Sequence, residues 1–281
     1  MTRLIWYVLL FLLSCIPGYF LLKYIYDKDT VEKESKSILT RCFCYGIASV
    51  FLAVMLEYFI DIPIESLFCK SKLYYVIHCF IGIALMEEGS KYLVLRLITW
   101  KNKEFNYIFD AVVYAAFISL GFATFENVLY VISGGGSVAI LRAVSSVPAH
   151  FFFSIYMGLF YGISKRECVK ERNNTKYIVL TILIPTLVHG VYDYLLYMAT
   201  YSLLYLFSWI AILIILYVVT FVKIKNLSLS DSPLFSIYNN KDLINKESPN
   251  IVKYNNHNTY CTKCGRPMVG VFCSHCGYKI E

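Results

Sequence analysis

The sequence predicts an all-α, polytopic membrane protein: a bundle of about seven transmembrane helices with a small zinc ribbon at the C-terminus. Three observations carry this. Of 281 residues, 58% are hydrophobic and only 16% charged, with a mean hydropathy of +0.58, outside the balance of a soluble globular domain. Apolar runs of the ~17–25 residues needed to cross roughly 30 Å of hydrocarbon recur along residues 4–222. Beyond them the composition turns polar, and two CxxC pairs close the chain.

The seven runs lie near 4–24, 42–60, 73–98, 107–132, 138–164, 177–199 and 202–222. The first has no small-residue cleavage site, and its Pro17-Gly18 pair reads as a kink or an early end, so the run is expected to be retained. Lysine and arginine collect in loops 23–41, 100–106 and 165–176, whereas 61–72 has only Lys70 and Lys72, and 133–137 and 200–202 have none. Because basic residues stay on the cytoplasmic side, the N-terminus is expected outside the cell membrane and the tail from Lys223 in the cytoplasm. Orienting charge and attraction to anionic lipid account for most of the formal net charge of +7, and no nucleic-acid partner is needed to explain it.

Three domains follow: a membrane domain at 1–222, a flexible linker at 223–259 rich in Asn, Ser and Lys, and the ribbon at 260–281. In the ribbon Cys261, Cys264, Cys273 and Cys276 form two knuckles in which Gly265 and Gly277 let the backbone fold back, a pattern for a tetrahedral all-cysteine zinc site. A disulfide pairing is the competing reading, opposed by the reducing compartment the charge count implies. Four thiolates leave no open coordination position, so this zinc is expected to be structural. With Lys263, Arg266 and Lys279 forming no dense basic patch, a protein is the expected partner of the ribbon. Cys15, Cys42, Cys44, Cys69, Cys79 and Cys168 show no ligand spacing and read as small apolar residues.

Ionisable groups inside a membrane are costly, so each is a functional candidate. Glu87 and Glu88 precede Lys91 by four and three residues, on one helical face, where the lysine can hold one carboxylate ionised and leave the other to act as a base. Asp110 lies near the start of the fourth run, and Glu126 lies one turn before Tyr130, whose hydroxyl is placed to bond the carboxylate. Pro148 is expected to kink the fifth run beside His150 and open room for water. His189 and Asp193 share a face at i,i+4, so the carboxylate can orient the imidazole, with Gly190 allowing close packing. Glu57, near an outer end, reads as reaching water. A bland reading exists for each, as an ion pair or a histidine bonded to a neighbouring helix, but convergence from four helices favours one buried, hydrated cavity.

"EEGSK" (87–91), "FENVLY" (125–130), His150 with Gly158, and "HGVYD" (189–193) resemble the motif series of the PrsW family of intramembrane proteases. The resemblance spans roughly 75–200 and extends to the CAAX prenyl proteases in its glutamate and histidine pattern. It implies glutamate-activated water and, in bacteria, a single-pass membrane substrate of the anti-sigma-factor kind. It further implies Glu87 as general base with Glu88 sharing the proton and Lys91 setting the charge. His150 would position water or protonate the leaving amine, His189 held by Asp193 would donate to the oxyanion, and Glu126 and Tyr130 would brace the cavity. Asp193 stands where relatives can carry asparagine. No catalytic metal is expected, since HExxH is absent, although histidines and carboxylates can hold one. The other readings are a receptor or scaffold signalling through its ribbon, and a proton-coupled transporter, the latter opposed by the lack of an internal repeat.

Overall fold

The computed structural model describes residues 2–68, 71–234, 259–260 and 267–268. In chain order these form α1 (Thr2–Lys28), α2 (Lys36–Phe68), α3 (Lys72–Ile77), a π-helical turn (His78–Ala84), α4 (Leu85–Thr99), α5 (Ile108–Val144), α6 (Ser146–Val169), α7 (Thr175–Met198) and α8 (Leu203–Leu229). Residues 1–234 form one compact unit and 235–281 a second.

Among the described residues five helical stretches are long and apolar enough to cross a bilayer: Ile5–Lys28, Lys36–Phe68, Ile108–Val169, Thr175–Met198 and Leu203–Leu229. Three of the expected seven runs account for the difference. The third is divided among α3, the π turn and α4, and it carries Glu87, Glu88, Lys91 and Arg96. The fourth and fifth meet at one kinked residue, Gly135, in place of the loop expected at 133–137. The chain stays helical there apart from Gly135 (φ 77°, ψ −163°), and α5 ends only at Val144. In an apolar surround each unpaired backbone group is expensive, which keeps even glycine-rich sequence hydrogen-bonded.

Helix α5 is the centre of the unit and packs against α1, α2 and α6. Small residues permit this. A Cβ on Gly46 of α2 would lie 2.1 Å from the Ile118 carbonyl oxygen, and one on Gly121 of α5 would lie 2.2 Å from that of Phe43, so the two backbones touch. On the opposite side a Cβ on Gly158 of α6 would come within 2.5 Å of Val112 Cα. The first helix does not end at Pro17-Gly18 but continues to Lys28, with Gly18 against Thr124. Pro148 does not kink a helix either. Since α6 begins at Ser146, the proline occupies its first turn, where the N–H it lacks would have no intrahelical partner.

The membrane unit also extends past the boundary expected at residue 222. Helix α8 runs to Leu229, and the chain then crosses the start of α5: Ile108 N–H donates to Ser232 O (3.3 Å), Leu234 N–H to Asn106 O (2.7 Å), and Phe109 N–H to Asp231 Oδ1 (3.0 Å). The N-terminal amides of α5 lack helical acceptors, and this strap supplies them, burying Leu234 completely. At the same end Ser35 bonds Glu104, and Asn106 bonds Glu32. Beyond residue 234, a two-residue antiparallel ladder pairs Thr259 with Met268 and Tyr260 with Pro267. Cys261, Cys264, Cys273 and Cys276 lie outside the described residues, as does Cys69.

Candidate active site

Glu87 and Glu88 stand in the first turn of α4, directly after the π turn, whose Phe80 ring packs on Gly190 of α7 so closely that a Cβ there would lie 2.6 Å from the ring. The close approach brings α7 to α4. Lys91 does not choose between the two carboxylates, as the sequence reading had it. Its Nζ lies 3.0 Å from Glu87 Oε2 and 2.8 Å from Glu88 Oε1, and also 3.1 Å from His150 Nδ1. Packed over the Phe122 ring at 4.0 Å, the ammonium is wholly buried.

Hydrogen-bond inventory fixes the two imidazoles. A lysine ammonium only donates, so His150 Nδ1 accepts and its Nε2 carries the hydrogen, which Glu126 Oε2 receives at 3.0 Å. His189 faces a carboxylate on each side, Glu88 Oε1 at 3.0 Å from Nδ1 and Asp193 Oδ2 at 3.1 Å from Nε2. Nδ1 bonds Glu88, and Asp193 stands within ion-pair distance of Nε2. The rings meet edge to face at 5.2 Å, and His189 stacks on Phe153. Ser119 Oγ donates to the His150 carbonyl at 2.8 Å, fixing α6 against α5 at this level.

Around this cluster lies a cavity of about 660 Å³, lined by Glu57, His78, Glu87, Glu126, Tyr130, Arg142, His150, His189 and Asp193 among others. Glu87 opens onto it, whereas Glu88 is sealed behind, with none of its side chain exposed. Glu57 therefore faces the cavity. Glu126 is not bonded to the Tyr130 hydroxyl. It pairs with Arg142 Nη2 at 2.9 Å, and the guanidinium lies 4.1 Å over the Tyr130 ring. A guanidinium charge outcompetes a neutral phenol for a carboxylate. Asp110 stays apart from the cluster, its Oδ2 accepting from the backbone N–H groups of Asn106 and Tyr107 at the start of α5.

Arg142 and the His78–Asp61 pair (2.8 Å) were missed by sequence reasoning. The signal was present for Arg142: a guanidinium inside the apolar run 138–164 meets the same rule that singled out the glutamates.

Carboxylates and imidazoles gathered from separate membrane helices around a buried cavity make the equipment of a membrane-embedded hydrolase. The sequence profile of the family described as "PrsW family intramembrane metalloprotease" matches residues 34–223, from the start of α2 into α8. Proteins named Protease PrsW are similar over most of their length. That of Clostridioides difficile (strain 630) is 37% identical over 228 residues, 77% of this chain and 88% of the relative. That of Geobacillus kaustophilus (strain HTA426) is 37% identical over 180 residues, 64% and 76% of the two chains. For Bacillus subtilis (strain 168) the figures are 32% over 183 residues, 64% and 79%. No solved structure matches. The chain belongs to the PrsW family and is a multi-pass intramembrane protease.

Proposed function

We propose that the protein cuts a single-pass, membrane-anchored protein of the anti-sigma-factor kind with water activated by Glu87. The observation that carries this reading is the buried meeting of Glu87, Glu88, His150 and His189, one ligand-type atom from each lying within 4.8 Å of the others, with Glu87 on the cavity side. Glu87 takes a proton from water as the oxygen attacks the scissile carbonyl carbon. His150 Nδ1 exchanges its Lys91 donor for an O–H of that water and so orients it. His189 keeps its Nδ1–H on Glu88 and turns its Nε2–H from Asp193 to the developing oxyanion, and the proton held by Glu87 passes to the leaving amine. Glu88 and Lys91 keep the charge balance.

The donor set favours one second reading, which the family description also names. Two carboxylates and two imidazoles suit a zinc-like ion, and Glu87, Glu88, His150 and His189 would hold it in place of the Lys91 ammonium, which stands as a cation among three of them. Such an ion would polarise the scissile carbonyl and acidify water.

Seven crossings belong to the same proposal. The 62-residue stretch Ile108–Val169 is ~93 Å long at about 1.5 Å per residue, enough for two passes, and the segment 72–99 adds another. The lysine- and arginine-bearing stretches 23–41 and 100–106 meet at one end, which supports a cytoplasmic placement of that end and an outer N-terminus. For the ribbon, the ladder flanking residues 261–266 suits a zinc knuckle held by Cys261 and Cys264 with Cys273 and Cys276, and a protein partner.

The test is co-expression of wild type and a Glu87→Gln, Glu88→Gln variant with the cell's single-pass membrane proteins. A fragment made only by wild type is expected, and its absence would overturn the protease substrate assignment. Repeating the cleavage after dialysis against a chelator separates the two chemistries. Undiminished cleavage supports the glutamate mechanism, and loss restored by zinc supports the metal one.

A further inference from the structure

The last part of α5, residues 136–144, lies between two breaks in the helix, Gly135 with its positive φ and Ser145 (φ −119°, ψ −73°). Val138, Leu141 and Arg142 of this piece line the catalytic cavity, so it forms part of the cavity wall. Its outward residues Ile140 and Val144 are exposed and apolar, while Ala139 is buried against Leu10 and Val131 and the Val144 carbonyl accepts from the Tyr217 hydroxyl at 2.9 Å. On the cavity side Arg142 ties the piece back to the rest of α5. Its Nη2 meets Glu126 Oε2 at 2.9 Å, its Nε donates to Asn127 Oδ1 at 3.2 Å, and its guanidinium covers the Tyr130 ring at 4.1 Å. Asn127 is itself anchored, donating to the Ser14 carbonyl of α1 at 2.9 Å. The same Glu126 oxygen receives the His150 Nε2 hydrogen at 3.0 Å.

We propose that Arg142 is a positioning residue that latches the 136–144 wall over the cavity and, through Glu126, holds His150 in its Nε2–H tautomer with Nδ1 turned to the reacting centre. The inference rests on the proposed role of His150 at the active site. Without the guanidinium, Glu126 is a buried carboxylate bonded to one neutral imidazole only, free to take another rotamer and leave His150 Nε2 without its acceptor. A carboxylate behind an imidazole fixes its ring and tautomer under either chemistry of the cleavage step. Arg142 reaches the reacting atoms only through Glu126, and the latch joins the wall's position to the imidazole's competence.

Nitrogen-15 histidine spectra of the full chain in lipid nanodiscs, at one fixed pH and without substrate, test this separately from any cleavage assay. His150 and His189 are assigned from His150→Gln and His189→Gln. Wild type should show His150 with a protonated Nε2 and a bare Nδ1. In Arg142→Gln those two signals should move toward each other by at least a third of their separation as the tautomers mix, while His189 stays in place, and Arg142→Lys should recover most of the wild-type separation. An unchanged His150 in Arg142→Gln overturns the proposal, as does a Lys variant no different from Gln. If Arg142→Gln does not fold, Tyr130→Leu removes the ring beneath the guanidinium. Partial convergence of the His150 signals supports the latch, and none overturns it. A missing substrate would leave these spectra untouched, so failure here and failure of the protease reading are distinct.

Discussion

Lys91 Nζ lies 2.8 Å from Oε1 of Glu88, and both side chains are entirely buried. The same oxygen accepts from His189, so one carboxylate joins a lysine of α4 to a histidine of α7. Removing the cation takes the 3.0 Å donor from Glu87 and leaves Glu88 with His189 alone. Lys91→Met is expected to lower stability by about 3–5 kcal/mol, the usual cost of breaking a buried pair from one side. Thermal unfolding in detergent measures it, and a midpoint equal to wild type would show that the pair carries no such weight.

Glu87 and Glu88 should separate by stability as well as activity. Glu87 opens on the cavity, so Glu87→Gln is expected to cut cleavage by about 10²–10⁴-fold, the usual worth of a general base, and leave unfolding nearly unchanged. Glu88 is sealed between Lys91 and His189, so Glu88→Gln should lose both activity and stability. Paired cleavage and melting measurements decide, and the reverse pattern would make Glu88 the base.

Asp193 accepts from His189 at 3.1 Å. Asp193→Asn keeps an oxygen beside the ring but removes the negative charge that orients it. The expected loss is about 10–100-fold in kcat with little change in KM, the range for partners that orient a reacting group. A change confined to KM would instead place Asp193 in substrate binding.

The loop joining α1 to α2 gives the pH dependence. Burial pushes the Glu34 carboxyl up from 4.5 to about 8, against the opposing hydrogen bond from Tyr114 at 2.5 Å and with Asp110, Glu104 and Asp29 close by. Asp29 rises from 3.8 to about 6, through burial first and then the neighbouring Asp231. The folded chain thus holds protons that the unfolded chain releases, so stability is greatest below the unfolded values and falls as pH climbs to about 6 and then about 8. Melting midpoints should decline across that window, and Glu34→Gln should flatten the upper half. A wild-type midpoint that rises there would contradict the assignment.

Where α2 and α5 touch, Gly121→Ala would put a methyl 2.2 Å from the Phe43 carbonyl oxygen. Separating two backbones costs about 1–3 kcal/mol as overpacking does elsewhere. Because α5 also carries Glu126, activity should fall with stability. An unaltered melting curve would show that the helices can part freely.

Much of this molecule was legible in its sequence. Apolar runs marked the helices, because hydrocarbon leaves no other solution for the backbone, and the rule that buried charge must find a partner singled out Glu87, Glu88, Lys91, Glu126, His150, His189 and Asp193. Helical spacing alone gave the His189–Asp193 pair. What spacing could not give were partners on other helices. Glu126 was assigned to Tyr130, its neighbour along α5, when its contacts are Arg142 and His150. Glycine and proline were read as breaks, and the helix does break at Gly135, though without a loop, whereas Pro148 opens α6. Periodicity is a property of one helix, whereas the side of Glu87 that meets water, the tautomer of His150 and the reach of Arg142 depend on how separate helices pack. Only the tertiary structure decides which polar groups share a cavity, since distance across helices, not along them, sets who bonds to whom.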